Sequence, residues 1–504
     1  MKSLVKTLCK ANKDPVLVRG SKTLCVVYNI PPEEEVKINN NHDGFVQALN
    51  ILEKSYNITR CNFALNSSPD LNLYDIVLIK QGFNDKIEQY CSKYFKQHVR
   101  KTILGICISS SDQIPTDEHI RFYDIMFYET EWYKKFANLQ RHPNIYHAFG
   151  IDTDIMKVQP TATVVYDYIF VGRLVWYKRP LKLLEKSGKI LVVGSLIDQK
   201  LAEQLVNKVT LVEFVSYDQL ATYYNQSVCC YLPCITHGGG ERAVLEARAC
   251  GIKIEIENDN EKLGELIQSP IYTAGYYADQ LKKGIEEIIN KVWFTIITPT
   301  TGRASLKKLK DSLNLETIGF VHLLLWDDKI TGPYEPNSLE DERTYSYQMK
   351  HPFKRDKNLR NDVWLRAIGA AMAKTKYITF KDDDTWVEPD HLSTIKHLFL
   401  MYNCEYVFVQ RRMWSKNGIV IGVDNFESTG KRNKFGYTLF DNSSLYLTKA
   451  AAVKVAEIFQ NNQYYGDDRL TFTVLSKLKG VHYQQPLVNH SCEPEIEAFF
   501  INNL

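Results

Sequence analysis

The chain of 504 residues is 44% hydrophobic and 24% charged, with a formal net charge of +3 at pH 7. That length and mixture fit two or three soluble globular domains, and the near-neutral charge gives no electrostatic case for nucleic acid. No stretch approaches the roughly 20 consecutive apolar residues of a membrane span, and the opening MKSLVKTLCKANKD lacks the apolar run of a secretory leader. A cytoplasmic location with no transmembrane segment is expected, and peripheral membrane contact through a surface patch is left open. The 11 cysteines are scattered and form no CxxC pair, so reduced, packed thiols are expected.

Strand-like and helix-like segments alternate along the whole chain, which indicates α/β architecture. Thr23–Tyr28 reads as a buried strand and Phe45–Lys54 as a helix with Phe45, Ala48, Leu49 and Leu52 on one face. Asp75–Ile79 and Thr102–Ile106 are further strands. A second block opens near Tyr166, with strands at Asp167–Val171, Lys189–Gly194, Val209–Val212 and Val228–Leu232 and a closing helix at Ala278–Asn290. A third block begins at Val292, with strands at Trp293–Thr298 and Leu323–Trp326, a helix at Asn361–Lys374, and a strand at Tyr377–Phe380. No Gly/Ser- or Pro-rich linker separates the second and third blocks, so direct packing is expected.

The third block carries the strongest chemical signal. Three carboxylates, Asp382, Asp383 and Asp384, follow the apolar strand Tyr377–Phe380. So much negative charge at a strand end is unfavourable without a positive counterpart, and a divalent cation with oxygen ligands, Mn²⁺ or Mg²⁺, is the expected one. Asp327 and Asp328 close the preceding strand, where a carboxylate can accept hydrogen bonds from a base or ribose. Tyr465-Gly466-Asp467-Asp468-Arg469 opens a helix further on. A neighbouring carboxylate raises the basicity of an aspartate whose ordinary pKa is about 3.9.

In this order the motifs resemble the family-2-like glycosyltransferases of GT-A fold, over roughly residues 292–490. The resemblance implies an α/β domain with a mixed central sheet and a DXD motif that binds a nucleotide-sugar donor through metal. It implies Asp382 and Asp384 on the metal, Asp384 the more direct ligand, and Asp383 within the donor-binding set. Asp327 or Asp328 would hold the nucleoside, and Asp468, or Asp467 beside it, would be the base that deprotonates the acceptor hydroxyl, with inversion at the anomeric carbon. His490 would complete the metal shell, against the alternative of a packed loop histidine. Asn442, Ser443 and Ser444 fall where the resemblance would put acceptor-side contacts, against the alternative of a plain turn.

The second block holds a different pair of motifs. Val171-Gly172-Arg173-Leu174 with Lys178 places two cations after a tight turn. The run Thr236 to Gly251 sends a glycine loop, with Gly239 and Gly240, into a helix whose N-terminus favours an anion; Glu246 lies within that helix. These motifs resemble the donor half of family-4-like glycosyltransferases of GT-B fold. The resemblance implies two Rossmann-like domains, 1–160 on the acceptor side and 161–291 binding the donor, followed by the 292–504 domain. Arg173, Lys178, Gly239 and Gly240 would hold the donor, Glu246 would reach a ribose, and the site would be retaining and metal-independent. The family's earlier glutamate falls at Gly238 here; Glu241 either substitutes for it as a catalytic group or leaves this half altered or inactive. Asp43-Gly44, His42 and His119 are weaker candidates for the first domain, each more readily an ordinary residue.

The combined expectation is a bifunctional enzyme of polysaccharide or glycoconjugate synthesis, adding sugars in succession to one growing glycan acceptor. Two rivals stand beside it. In one, only the third block is catalytic and the first two form a binding or scaffolding module. In the other, the triplet serves a metal-dependent nucleotidyltransferase or phosphohydrolase.

Overall fold

A computed structural model describes residues 22–30, 44–83, 85–98, 100–108, 115–195, 197–213, 215–327, 331–349, 361–424, 441–461, 471, 473–492 and 494. The chain divides into two compact units, one of Arg19–His98 with Thr102–Ile288 and the other built on Ile289–Leu504. Among the described residues no helix is long and apolar enough to cross a membrane.

The first of these units contains two all-parallel sheets. One has the order β2-β1-β3-β4-β5-β6, from β1 (Lys22–Tyr28), β2 (Tyr56–Asn62), β3 (Ile76–Lys80), β4 (Ile103–Ile108), β5 (Ile125–Tyr128) and β6 (Ile145–His147). The inner strands read as unbroken apolar runs because helices cover both faces, as parallel sheets require. β2, YNITRCN, is a half-exposed edge strand, and its polar alternation hid it from the sequence reading. The second sheet has the order β11-β10-β7-β8-β9, from β7 (Tyr166–Val171), β8 (Ile190–Val193), β9 (Thr210–Val212), β10 (Ser227–Leu232) and β11 (Lys253–Ile256). The expected closing helix, Ala278–Asn290 in the sequence, runs Ala274–Ile289 and lies against the first sheet. A Cβ on Gly284 would sit 2.5 Å from Ile125 and 2.9 Å from Phe127, so the helix reaches β5 through a residue without a side chain.

The two sheets are joined by close backbone contact. The expected Phe45–Lys54 helix spans Gly44–Leu52, and its first residue abuts the chain that leaves β6. A Cβ on Gly44 would lie 1.8 Å from the Gly150 carbonyl oxygen, and one on Gly150 would lie 2.1 Å from the Thr273 carbonyl oxygen. Backbone cannot yield as a side-chain tip can, so Gly44→Ala is expected to destabilise this unit by at least about 1–3 kcal/mol in urea unfolding. Gly44 is thus held for packing. His42 and Asp43, the neighbouring candidates, lie outside the described residues. His119 completes a capping box with Thr116 at the start of the Asp117–Phe122 helix and lies 3.6 Å from Glu88, so it has a structural position.

The other unit is a nine-stranded mixed sheet. Its order is β14-β13-β12-β15-β19-β17-β20-β16, with β18 on β17. The strands are β12 (Val292–Thr300), β13 (Gly319–Trp326), β14 (Thr344–Gln348), β15 (Tyr377–Phe380), β16 (Thr385–Val387), β17 (Tyr406–Trp414), β18 (Val420–Val423), β19 (Leu445–Thr448) and β20 (Gly480–Ser491). β12 to β15 run parallel, and β19 is antiparallel to both β15 and β17. Alternate residues feed separate cores on the two faces. Ile297, Leu325, Phe408 and Leu445 go to one, Ile296, Leu324, Val407 and Tyr446 to the other. The Asn361–Met372 helix lies close on β12 because a Cβ on Gly369 would be 2.4 Å from Ile297. Arg366, one turn earlier, is thereby directed to the end of the sheet where β15 stops.

Candidate functional site

The parallel strands β12, β13 and β15 end side by side, which is where open α/β sheets bind ligands. Thr300 closes β12, Asp327 follows β13, and the acid triplet follows β15. The Asp327 N–H donates to the Thr300 carbonyl at 3.0 Å, holding the two strand ends together. Asp328 lies outside the described residues, as do Asp467 and Asp468.

The three acids face three different environments. Asp382 turns inward: it is ion-paired to the buried Arg366, and its Oδ2 accepts from Ser443 Oγ at 2.8 Å. Burial alone would raise its pKa, but Arg366 and the Ser443 hydroxyl outweigh that and hold it well below the usual carboxylate range. The resemblance puts both Asp382 and Asp384 on a metal; here the oxygens of Asp382 are engaged by Arg366 and Ser443. Asp383 is buried, accepts from Thr300 Oγ1 at 2.8 Å and lies 3.3 Å from Arg303 Nη1. Burial pushes it up to about 6 despite Arg303.

Asp384 is the outward member. Its Oδ2 lies 3.4 Å from Arg303 Nη1, while its Oδ1 is buried and accepts no hydrogen bond among the described residues. Burial, and next the charge of Asp382, push its carboxyl up to about 6. His490 comes to it through strand pairing: β16 and β20 are antiparallel with Thr385 opposite His490, which brings His490 Nδ1 to 3.7 Å from Asp384 Oδ1. The late histidine is thus beside the triplet rather than in a distant loop.

Among the described residues no group of three or more His, Cys, Asp or Glu side chains is arranged to hold a metal. Asp384 and His490 do fit a hard, partly hydrated cation: one offers a buried oxygen with no hydrogen-bond donor among the described residues, the other a ring nitrogen beside it. Two protein ligands suffice for Mg²⁺-type ions that take their remaining ligands from phosphate and water.

Four side chains complete the surroundings of the triplet, and the sequence assigned none of them a contact with it. Arg303 bridges Asp383 and Asp384, Thr300 holds Asp383, and Arg366 and Ser443 hold Asp382. Arg303 follows Gly302 in the turn after β12, and Arg366 lies on the helix that precedes the triplet. Ser443 lies 61 residues from Asp382, so local spacing could not join the two.

The glycine-loop site is arranged differently. Gly239 and Gly240 take left-handed φ of 74° and 106°, and Gly240 precedes the Glu241–Ala249 helix. Lys178 folds back over Gly172, its Nζ 3.1 Å from where a Gly172 Cβ would stand, and Arg173 is exposed nearby in sequence. Glu241 is buried in an ion pair with the wholly buried Lys262, whose ammonium stands 5.6 Å from the Trp132 ring centre and 5.5 Å from that of Tyr133. Burial opposes its charge, yet Lys262 and then Lys178 hold its pKa below the ordinary range. Glu246, expected to reach a ribose, is buried and accepts from Tyr217 Oη at 2.6 Å and Tyr224 Oη at 3.0 Å. A Cβ at Gly238 would lie 2.7 Å from the Tyr177 carbonyl oxygen and 3.0 Å from that of Ile235, so the missing glutamate would not fit this loop.

No family model matches the sequence, and no curated protein matches it significantly. Solved structures with some likeness include S. aureus TarS, at 14% identity and TM-score 0.29 over 42% of this chain and 38% of that one. AviGT4, a glycosyltransferase involved in avilamycin A biosynthesis, shows 9% identity and TM-score 0.37 over 53% of this chain and 97% of its own. Anabaena Alr3699/HepE, in complex with UDP and glucose, shows 12% identity and TM-score 0.35 over 53% and 91%. The chain spans well under half the length of TarS. Likenesses this distant assign no activity.

Proposed function

We propose that the Ile289–Leu504 unit is a metal-dependent glycosyltransferase that moves a sugar from a nucleotide-sugar donor to a hydroxyl of a glycan or glycoconjugate, with inversion. The observation that carries the reading is Asp384, whose buried oxygen accepts no hydrogen bond among the described residues and stands beside His490 at the ends of three adjacent parallel strands. Asp384 and His490 would hold a Mn²⁺ or Mg²⁺ ion. When bound, that ion would offset the charge growing on the departing diphosphate. Arg303, 58% exposed at its side chain, is placed to meet phosphate once the acids are neutralised. Asp327 is at the strand end suited to the nucleoside. Asp468, or Asp467 beside it, is the base of this proposal.

For the other unit, specific observations favour a binding or scaffolding role. Glu241 is neutralised by Lys262, Glu246 is taken by two tyrosines, and Gly238 has no room for a side chain. The test is hydrolysis of UDP-, GDP-, dTDP- and CMP-sugars by the full chain, with Mn²⁺ and with EDTA. One donor turned over in Mn²⁺ and none in EDTA is expected. Turnover that persists in EDTA would restore a second transferase, and turnover of nucleoside triphosphates instead would favour the nucleotidyltransferase reading.

A further inference from the structure

Beneath the acid triplet lies a chain of buried ionic and hydroxyl contacts that metal ligation does not require. It begins at Arg411 on β17, whose Nε donates to Asp424 Oδ2 at 2.8 Å and whose Nη1 lies 3.1 Å from Asp441 Oδ1. The Asp424 N–H returns a bond to the Arg411 carbonyl at 2.9 Å. Asp424 and Asp441 bracket residues 425–440 in sequence, so one guanidinium ties both flanks of that segment. The contacts continue through a buried 3₁₀ turn, Asn442–Ser444. Ser444 Oγ donates to Asp441 Oδ2 at 2.8 Å. Ser443 Oγ donates to Asp382 Oδ2 at 2.8 Å and accepts from the Asp382 N–H at 3.1 Å. From the other side, the wholly buried Lys381 donates to the Ser443 carbonyl and, at 3.1 Å, to Thr379 Oγ1, with its ammonium 4.3 Å from the Tyr446 ring centre.

Buried charges are a poor means of stabilising a strand junction, because well-packed apolar groups of similar volume serve as well or better. What such a network supplies is a fixed arrangement. Here it converges on the Asn442–Ser444 turn, and that turn contacts Asp382 through both its carboxylate and its backbone N–H. We propose that Ser443, with Lys381 and Arg411 behind it, is a positioning residue for the donor–metal site: it fixes Asp382 and, through the backbone, the direction in which Asp384 leaves β15. The inference rests on the glycosyltransferase reading and deepens it.

The test uses the full chain and reads Mn²⁺ binding in the presence of UDP by electron paramagnetic resonance, with thermal unfolding in parallel. Ser443→Ala removes one hydroxyl and should weaken Mn²⁺ binding about tenfold, the loss expected for one hydrogen bond to a charged group. The unfolding midpoint should stay within a few degrees. Ser443→Thr, which keeps the hydroxyl, should restore binding. Arg411→Lys keeps the charge but loses the fork that spans Asp424 and Asp441, and should weaken binding without Arg411 touching the metal. Equal binding by wild type and Ser443→Ala, or a threonine no better than alanine, overturns the positioning role. If Arg411→Lys fails to fold, the serine pair still decides. Failure of the wild type itself to bind Mn²⁺ with UDP overturns the functional reading, and this inference with it.

Discussion

Asp384→Asn is expected to lower Mn²⁺-dependent donor turnover by about 10²–10³-fold, the range for removing one preorganised group that meets developing charge. Of the three acids, only Asp384 presents a buried oxygen that accepts no hydrogen bond among the described residues. Asparagine preserves shape and removes the charge, so the loss would report ligation and not packing. Stability should move the other way. The Asp384 carboxyl, pushed up to about 6 by burial and then by Asp382, sits above an unfolded value of about 3.9. A raised folded-state pKa means the fold holds the proton more tightly. The stability it contributes is complete below about 3.9 and lost as pH rises through about 6. At neutral pH without metal the charged group is therefore a burden, which asparagine removes, and the unfolding midpoint should hold or rise. Metal requires the deprotonated carboxylate, so the Mn²⁺-induced rise in that midpoint should be larger at pH 7.5 than at pH 5. A rise of equal size at both, or one retained in Asp384→Asn, would remove Asp384 from the metal.

The parts of this molecule legible in its sequence are those governed by short-range pattern. Buried strands such as β1, β3, β10 and β15 are apolar runs bounded by polar turns, and their positions follow from that alone. β2 escaped because an edge strand has one wet side and a mixed sequence. The triplet was visible because three carboxylates after a strand have few inexpensive explanations. Their division of labour was not visible. The resemblance made Asp384 the more direct ligand, but the physical ground for separating it from Asp382 is the arrival of Ser443 and Arg366 at one and His490 at the other. Those partners come from β20, from the turn before β19 and from a helix before β15. Long-range register decides their meeting, and local spacing carries no trace of it. The same limit applied to Glu241 and Glu246. Helical spacing placed both in the first turns after the glycine loop, but Lys262, Tyr217 and Tyr224 determined which way each would face.

Lys262→Met is expected to destabilise its unit by about 3–5 kcal/mol, because it leaves the Glu241 carboxylate buried without its cation. Lys262 is wholly buried and Glu241 nearly so, which makes solvent a poor substitute. Glu241→Gln should cost a similar amount by stranding the ammonium between Trp132 and Tyr133. The double replacement should cost less than the two together, since neither charge then remains. The pH dependence follows the same pairing. Burial raises the Glu241 carboxyl, but Lys262 holds it below its ordinary value of about 4.3. The stability from that depression is present above about 4.3 and lost as pH falls through the lower folded-state value. Thermal unfolding of the full chain, with hydrogen exchange of the Glu241–Ala249 helix to locate the effect, measures all three variants. Donor turnover in EDTA, measured alongside, separates a structural glutamate from a catalytic one. A structural Glu241 predicts no EDTA-resistant turnover in wild type and a lowered midpoint in Glu241→Gln. Turnover in EDTA that Glu241→Gln abolishes, with the midpoint unmoved, would instead place the carboxylate at the reacting sugar and restore the second active site.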